Sequence, residues 1–274
     1  MASAWQASLD LGFVKRGEST VLARRAHVGP LRVQKPLYPE GPAICHAVVL
    51  HPPSGIAGGD ELDIRIDVAA GAHALLTTPG AGKWYRSAGP LAKQGVIIKV
   101  GAGGTAEWLP QESIVFDGVQ ANMNAEIALA ADARFFGWEV LCLGRRASGE
   151  NFSHGTLRLA NRITRDGRPL WLERGRIDGG GPLLDSPVGL AGFSVCGTLL
   201  ATGEADATLL TACRAVPCAE TGAQIGITAL PELFVARYLG HSSEAARGWF
   251  ADLWRLLRPA LIGAPAQTPR IWNT

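Results

Sequence analysis

A dense set of proline, glycine and carboxylate residues follows an apolar segment near residue 50. In chain order, the set comprises His51, Pro52, Pro53, Gly55, Gly58, Gly59, Asp60, Glu61 and Asp63. Closely spaced glycines allow positive φ angles and close backbone approach, and paired prolines fix the entry to the turn. The result is a rigid loop whose carboxylate oxygens could bind a cation. The alternative is an ordinary solvated turn in which the acidic residues have no special role.

A second stretch, PGAGKWYRS at 79–87, contains the Gly82-Lys83 pair that ends a phosphate-binding loop. That motif also requires glycine at position 77 and a hydroxyl residue directly after the lysine. The sequence has Thr77 and Trp84 at these positions. No apolar stripe of helical period follows Lys83, although the motif must open a helix. The sequence therefore disfavours a nucleotide-binding loop.

Further polar residues lie beside glycine and aromatic residues at 109–118 and 144–152. Together with the first segment they offer several carboxylates, from which a pair for glycosidase-type acid and base catalysis could be drawn: Asp60, Glu112, Asp117, Glu139 and Glu150. Turns and surface ion pairs are the structural alternative, and such pairs contribute little individually. No G-x-S-x-G nucleophile motif occurs. A β-rich hydrolase and a plain binding module both stay open at this point.

The cysteine spacing, the charge balance and the hydropathy of the sequence exclude several other classes of protein. The five cysteines, at 45, 142, 196, 213 and 218, form no C-x-x-C pair, and no four ligands have the spacing of a closed zinc site. His46 and His51 would lie on opposite faces of one strand. With 26 basic and 24 acidic residues and no basic run, nothing indicates a nucleic-acid partner. No signal segment or membrane span is evident, so we expect a cytoplasmic protein with reduced thiols.

Short β segments separated by glycine must position these residues. Alternating apolar residues predict strands over 62–71, 95–104, 105–118 with a bend at Pro110, two within 124–144, and two more over 193–201 and 206–216. The clearest β-hairpin spans 156–177 and turns at Asp166-Gly167.

Helix is predicted near the carboxyl end. The segment 231–240 opens with Pro231 and closes on Gly240, and Ser242 or Ser243 can cap the next helix. That helix ends near Pro259. It carries one apolar stripe, formed by Trp249, Leu253, Leu256, Leu257 and Ala260. We therefore predict a mainly β protein with layered antiparallel or β-helix-like sheets and a carboxyl-terminal helical hairpin. The chain reads as a single domain, with β structure over 1–228, the hairpin over about 230–260 and a short tail over 261–274.

Four segments, in this order, resemble the urease accessory protein family UreD, also called UreH. They are HPPSGIAGGD (51–60), TTPGAGKWYRS (77–87), LPQESIVFDG (109–118) and GRRASGENFSHG (144–155). Ser54 stands where the family usually has glycine, and Arg146 occupies a position that is often acidic or otherwise variable. The segments contribute the matching residues His51, Gly58, Gly59, Lys83, Tyr85, Arg86, Ser87 and Arg145. The terminal segments RYLGHSSEAARGWFADLWRLLRP and PRIWNT are similar as well, so the likeness spans nearly the whole chain.

The resemblance implies a mostly β protein with no catalysis of its own and no permanently bound cofactor. It implies a scaffold for nickel insertion into apo-urease, with urease, a UreF-type helical protein and a UreG-type GTPase as partners. A dimer within that accessory complex is also compatible with it. The GTP would be handled by the GTPase, and a polar internal passage for Ni²⁺ has been proposed for the family.

Ni²⁺ in transit requires weak oxygen or nitrogen ligands, because a thiolate cage would retain it. We expect an acidic path lined by Asp60, Asp63, Glu112, Asp117, Glu139 and Glu150. Lys83 and Arg145 could balance the buried negative charge. The eight tryptophans also suit a protein that binds partners. Trp249 and Trp254 could serve either the core or a partner contact.

Overall fold

A computed structural model describes residues 4–273 of the chain. Seventeen strands occur in this part of the chain: β1 (Gln6–Arg16), β2 (Ser19–Val28), β3 (Arg32–Val33), β4 (Ile44–Leu50), β5 (Glu61–Val68), β6 (His73–Thr77), β7 (Gly82–Trp84), β8 (Ala92–Val100), β9 (Thr105–Leu109), β10 (Ser113–Val115), β11 (Val119–Leu129), β12 (Arg134–Leu143), β13 (Gly155–Arg165), β14 (Arg168–Asp178), β15 (Val195–Thr202), β16 (Gln224–Leu230) and β17 (Leu233–Gly240). The α-helices of the same part are α1 (Pro182–Asp185), α2 (Ala207–Arg214) and α3 (Ser243–Ile262), and short 3₁₀ turns lie at Arg146–Ser148 and Arg270–Asn273.

The strands form two sheets, between which the chain crosses repeatedly. The first sheet has the order β14-β13-β11-β8-β5-β1-β2, and the second has the order β16-β17-β15-β12-β9-β6-β4-β3, with β10 beside β12 and β7 beside β10. Four successive coils each place one strand in the second sheet and the next long strand in the first: β4 with β5, β6 with β8, β9 with β11, and β12 with β13. Neighbouring coils pair in parallel. The predicted β-helix-like stacking is therefore confirmed, and antiparallel pairing is confined to the flanks.

Two apolar cores follow from this layering. The first lies between the sheets, where the inward residues of β5, Ile64 and Ile66 among them, alternate with exposed ones as predicted. The second lies between the second sheet and α3, and it includes Trp249, Leu253 and Trp254. Both tryptophans are almost completely buried, so they belong to the core of this chain.

Most predicted strands are found, and the predicted hairpin turns at Asp166-Gly167. Both turn residues have positive φ angles, 47° and 79°, as a two-residue hairpin turn requires. The bend at Pro110 separates β9 from β10 as expected.

Two assignments near the carboxyl end were wrong. The segment 231–240 is not the first arm of a helical hairpin but contains β17, which pairs with both β15 and β16. Most residues of β17 are buried on both sides, between the first core and α3, so apolar periodicity could not separate strand from helix. Conversely, 206–216 is not a strand but contains α2, which Asp206 caps by accepting a hydrogen bond from the Leu209 amide at 2.7 Å.

Helix α3 confirms the predicted carboxyl-terminal helix and the cap at Ser242, whose side chain accepts from the Ala245 amide. The helix passes through Pro259 and ends at Ile262, before Gly263 in the left-handed region at φ 77°. Leu256 is 39 % exposed, so the buried stripe differs from the predicted one. The buried face of α3 includes Phe250 and also Arg258, which the sequence did not predict to be buried.

The five cysteines form no disulfide among the described residues, and Cys45 and Cys213 are buried. Burial raises the pKa of the Cys213 thiol to about 11, which keeps it protonated near neutral pH. Within residues 4–273, no helix has both the length and the apolar character needed to cross a membrane.

Candidate functional site

The four motif segments lie together at one end of the stacked coils. They form the crossings that follow β4, β6, β9 and β12, and we call them the motif loops: residues 51–60, 78–91, 110–118 and 144–154. Because these four strands are parallel neighbours in one sheet, their carboxyl ends meet at the same edge. Segments that are far apart in sequence are thereby stacked on one another.

Backbone hydrogen bonds join each motif loop to the next. The Ile56 amide donates to the Lys83 carbonyl at 2.7 Å, and the Tyr85 amide donates back to Ile56 at 2.9 Å. The Ser87 amide donates to the Gly118 carbonyl at 3.0 Å, and the Gly118 amide donates to His154 at the same distance. The loops therefore form one continuous unit.

Close packing explains the small and aromatic residues of the motifs. A Cβ atom on Gly55 would lie 2.1 Å from the Tyr85 ring, and one on Gly58 would lie 2.2 Å from Ser87 Oγ. The Tyr85 ring meets Phe116 edge to face at 5.0 Å between centroids. These residues thus fix the positions of the loops relative to one another.

Two further motif residues, Arg145 and Ser54, are explained by a cation–π contact and by backbone conformation, respectively. The Arg145 guanidinium lies 4.3 Å from the centre of the Phe116 ring. Ser54, where the resembling family usually has glycine, has a φ of 57°, in the left-handed region that glycine adopts most easily.

The carboxylate of Asp60 links the first motif loop to the start of the chain. It accepts hydrogen bonds from the Trp5 and Ala57 amides, both at 2.8 Å, and the residue is 3 % exposed. Both carboxylate oxygens are therefore used in holding the loop.

The carboxylates of Asp117 and Glu150 likewise hold the third and fourth motif loops in place through hydrogen bonds. Asp117 Oδ1 accepts from the Ser153 and His154 amides, both at 2.7 Å. Burial acts to raise the pKa of Asp117, but these amide hydrogen bonds outweigh it and hold the pKa below its ordinary value. Glu150 accepts from Arg145 Nη2 at 2.7 Å, and this ion pair lowers the pKa of Glu150.

Two more of the predicted path residues lie elsewhere. Asp63 is exposed on the outer face of the first sheet, because it alternates with the inward Leu62 and Ile64. Glu112 faces α3, where its Oε2 lies 2.7 Å from Arg247 Nε. The structure therefore does not bring the six carboxylates into one lining.

A cavity of about 270 Å³ lies between the two sheets and beneath the motif loops. Its walls are mainly apolar, and its polar lining includes His51, Lys83, Gln94, Gln111, Glu139 and Asn161. Of the six predicted path carboxylates, Glu139 alone is part of this lining. A smaller cavity of about 70 Å³ shares Trp138, Glu139 and Asn161 with it and continues toward Ile163 and Leu200. Glu139 therefore stands where the two cavities meet.

Glu139 has the most unusual electrostatic environment of the predicted carboxylates. Burial, followed by the negative charge of Glu173, raises the pKa of Glu139 to about 7, while a hydrogen bond with Asn161 opposes the shift. Glu173 is itself held by Arg237, with 2.7 Å between Oε1 and Nη2. Near neutral pH, Glu139 is thus divided between a neutral acid and a carboxylate.

His51 provides a nitrogen at the loop end of the larger cavity. Burial lowers the pKa of His51, so the neutral imidazole predominates near pH 7, and its buried Nε2 has no hydrogen-bond partner in the described part of the chain. Among residues 4–273, no three His, Cys, Asp or Glu side chains are grouped so that they could hold a metal ion together.

Sequence reasoning missed Asn161, Glu173 and Arg237. The hairpin register places Asn161 opposite Glu173, both on the inward side of the first sheet, and alternation along 170–177 could have revealed this. Arg237 was lost because its strand was assigned as helix.

Comparison with known proteins assigns the chain to a family. The family model described as "UreD urease accessory protein" matches residues 6–273. This chain belongs to the UreD urease accessory protein family. Relatives named "Urease accessory protein UreD" occur in Dechloromonas aromatica strain RCB, at 59 % identity over 99 % of this chain and 95 % of the relative, and in Azoarcus sp. strain BH72, at 58 % over 98 % and 94 %. A third, from Pseudomonas aeruginosa strain PAO1, is 53 % identical over 99 % of this chain and 96 % of the relative.

Membership in the UreD family confirms the resemblance that the four motif segments carried. Because the match covers both sheets and α3, it includes the cavity residues as well as the loops.

Proposed function

We propose that this chain acts in urease maturation as a non-enzymatic scaffold for nickel insertion into apo-urease. Its membership in the UreD urease accessory protein family supports the role in maturation. In this proposal the chain works in the cytoplasm and bridges urease to a UreF-type protein and, through it, to a UreG-type GTPase. Family membership favours this role over a carboxylate-pair hydrolase or an unrelated binding module.

The observation that carries the nickel proposal is the placement of Glu139 between the sheets. A carboxyl group whose pKa lies near 7 can exchange its proton for a metal ion at physiological pH. Oxygen and nitrogen ligands of moderate affinity suit Ni²⁺ in transit better than thiolates do. Ni²⁺ is the cargo here, and it would reside only briefly.

His51 and Glu139 line the same cavity, one beside the motif loops and the other at the entrance to the smaller cavity. We infer a path that begins near His51 and passes Glu139. Lys83 lines the same cavity. The carboxylates of Asp60, Asp117 and Glu150 keep the loops in place around this path.

The test is nickel delivery in cells that carry the urease genes and the other accessory genes. Urease purified from cells without this chain should be poor in nickel, and adding the chain should restore its metal content. Glu139→Gln keeps the shape and hydrogen-bonding capacity of the side chain but removes the exchangeable charge, so it should reduce delivery by roughly 10-fold.

Asp63→Asn is the matched control, because it also neutralises a carboxylate but lies on the outer face of the first sheet. Nickel content that is the same with and without this chain contradicts the scaffold proposal. Restoration by Glu139→Gln as complete as by the original chain contradicts the path through Glu139 while leaving the scaffold role intact.

A further inference from the structure

The outer face of the first sheet carries a concentration of arginines at one edge. We call Arg158 and Arg162 on β13, with Arg174 and Arg176 on β14, the arginine patch. All four are exposed, and Leu172 between them is 62 % exposed. Helix α3 packs on β12, β15 and β17 of the other sheet, so it does not cover this face.

The strand register places like charges side by side. Arg158 lies directly opposite Arg176, Arg174 lies opposite Ala160, and Arg162 lies opposite Leu172. Like charges at facing positions of an antiparallel pair destabilise a sheet. The arginine patch is therefore a feature that the stability of this hairpin does not explain.

Little acidic charge of the chain itself neutralises the patch. Within residues 4–273, Arg158, Arg162 and Arg174 form no ion pair or hydrogen bond. Asp178 pairs with Arg176 at 2.9 Å, and its carboxylate also interacts with the charge of Arg158 at longer range. Glu126 is the neighbour of Arg162 in register but does not form an ion pair with it.

The opposite half of the same face is different. There Arg24 binds both Asp10 and Asp67, and Lys93 pairs with Glu61 at 2.7 Å. Arg65 on β5 is exposed and, among the described residues, unpaired as well, but its neighbours in register are Asp10 and Ile97, whereas Arg158 faces Arg176.

The patch also lies at an open strand edge. Strand β14 is the last strand of the sheet, and within residues 4–273 the backbone of 169–177 forms no hydrogen bonds to a strand beyond it. Open edges accept an added strand, whose main chain provides affinity while alternate side chains provide specificity.

We propose that β14 and the arginine patch bind an extended, acidic segment of a partner protein as an additional strand. Every second side chain of such a segment would lie on the outer face, beside Arg174 and Arg176. Carboxylates at these alternate positions would meet the guanidinium groups of Arg174 and Arg176. This inference does not depend on nickel or on the cavity between the sheets.

The probe is a fluorescein-labelled peptide of alternating threonine and glutamate, with blocked ends, titrated with the full chain and followed by fluorescence anisotropy. Binding should weaken as salt rises from about 50 to about 300 mM, because exposed charges are screened. The double variant R158E/R174E should lower affinity by at least about 10-fold, since it reverses the charge of Arg174 beside the added strand and of a second arginine in the same patch. Circular dichroism and the thermal midpoint confirm that the variant is folded.

Arg65→Glu is the matched control, because Arg65 is also exposed and unpaired on the outer face but lies on β5. It should leave affinity unchanged within about twofold, given its distance from β14. A peptide with lysine in place of glutamate should not bind.

Three further results would overturn the proposal. Equal binding of a peptide methylated on alternate backbone nitrogens excludes strand addition, because that peptide cannot pair with the edge. Absence of binding by the glutamate peptide, or equal losses in R65E and R158E/R174E, excludes the arginine patch as the site.

Discussion

Arg258 on α3 donates a hydrogen bond from Nη2 to Glu107 Oε1 on β9 at 2.9 Å, and both side chains are completely buried. Arg258 also binds Glu40, and Trp254 donates to Glu107 Oε2 at 2.7 Å. A charged network thus lies inside the core that joins α3 to the second sheet. Buried ion pairs of this kind specify how elements fit together more than they add net stability.

Removing the cation of this network should strongly destabilise the fold. Arg258→Met keeps much of the side-chain volume but leaves Glu107 and Glu40 without their cation, which should cost about 3–5 kcal/mol of unfolding free energy. Arg255→Met is the control, because Arg255 is exposed on the same helix and its pair with Asp252 should contribute less than about 1 kcal/mol. Urea unfolding followed by tryptophan fluorescence measures both; similar losses in the two variants would contradict the prediction.

Acid should weaken the same network. Burial acts to raise the pKa of Glu107, but His73 and Arg258 outweigh it and lower the pKa to about 2. Since the folded pKa lies below that of the unfolded chain, the contribution of Glu107 is complete above about pH 5 and is lost as the pH falls toward 2. The unfolding free energy of the original chain should therefore decrease over this range. In Glu107→Gln the decrease should be smaller, and an identical pH profile for the two would show that Glu107 is not responsible.

Glu139 should show the opposite dependence, because its folded pKa of about 7 lies above that of the unfolded chain. Folding then favours the neutral acid, and stability is lost as the pH rises from the unfolded pKa through 7. Glu139→Gln should be more stable than the original chain at about pH 8 and similar to it at about pH 4. Urea midpoints at the two pH values measure this, and a difference that does not change with pH would argue against a raised pKa.

Alanine at Gly55 should disturb the contact between the first two motif loops. Its Cβ would overlap the Tyr85 ring, so we expect a loss of about 1–3 kcal/mol in unfolding free energy. Gly80→Ala is the matched control in a neighbouring motif loop, because nothing lies within 4 Å of the added methyl group. It should be neutral or slightly stabilising. Thermal unfolding distinguishes the two, and equal midpoints would mean that the Tyr85 ring moves aside without cost.

Local patterns were sufficient where one face of an element is buried and the other is solvated. Alternation identified β5, the Asp166-Gly167 turn placed the hairpin, and Ser242 marked the start of α3. These features depend on residues that are neighbours in sequence or in one turn. The family resemblance likewise rested on contiguous segments that could be compared directly.

Local patterns failed where both faces are buried or where a partner is distant. Strand β17 has buried residues on both faces and only Arg237 exposed, so Pro231 and Gly240 were misleading as helix-terminal signals. Helix α2 did carry a sequence signal, the cap at Asp206, which strand-like hydropathy outweighed. The inward position of Arg258 depends on Glu107, 151 residues earlier, and no local pattern could indicate it.

The sequence by itself determined the mainly β class, most strands, the carboxyl-terminal helix and the family, because all of these follow from short-range periodicity and contiguous motifs. Only the tertiary structure decided which groups each carboxylate contacts and whether it is buried. Parallel stacking of the coils engaged Asp60, Asp117 and Glu150 with backbone amides and side chains of the motif loops, and it left Asp63 on the outer surface. It placed Glu139 between the sheets beside Glu173, where burial and a like charge raise its pKa. Carboxylates of the same chemistry differ in contacts, exposure and pKa because their surroundings come from strands distant in sequence.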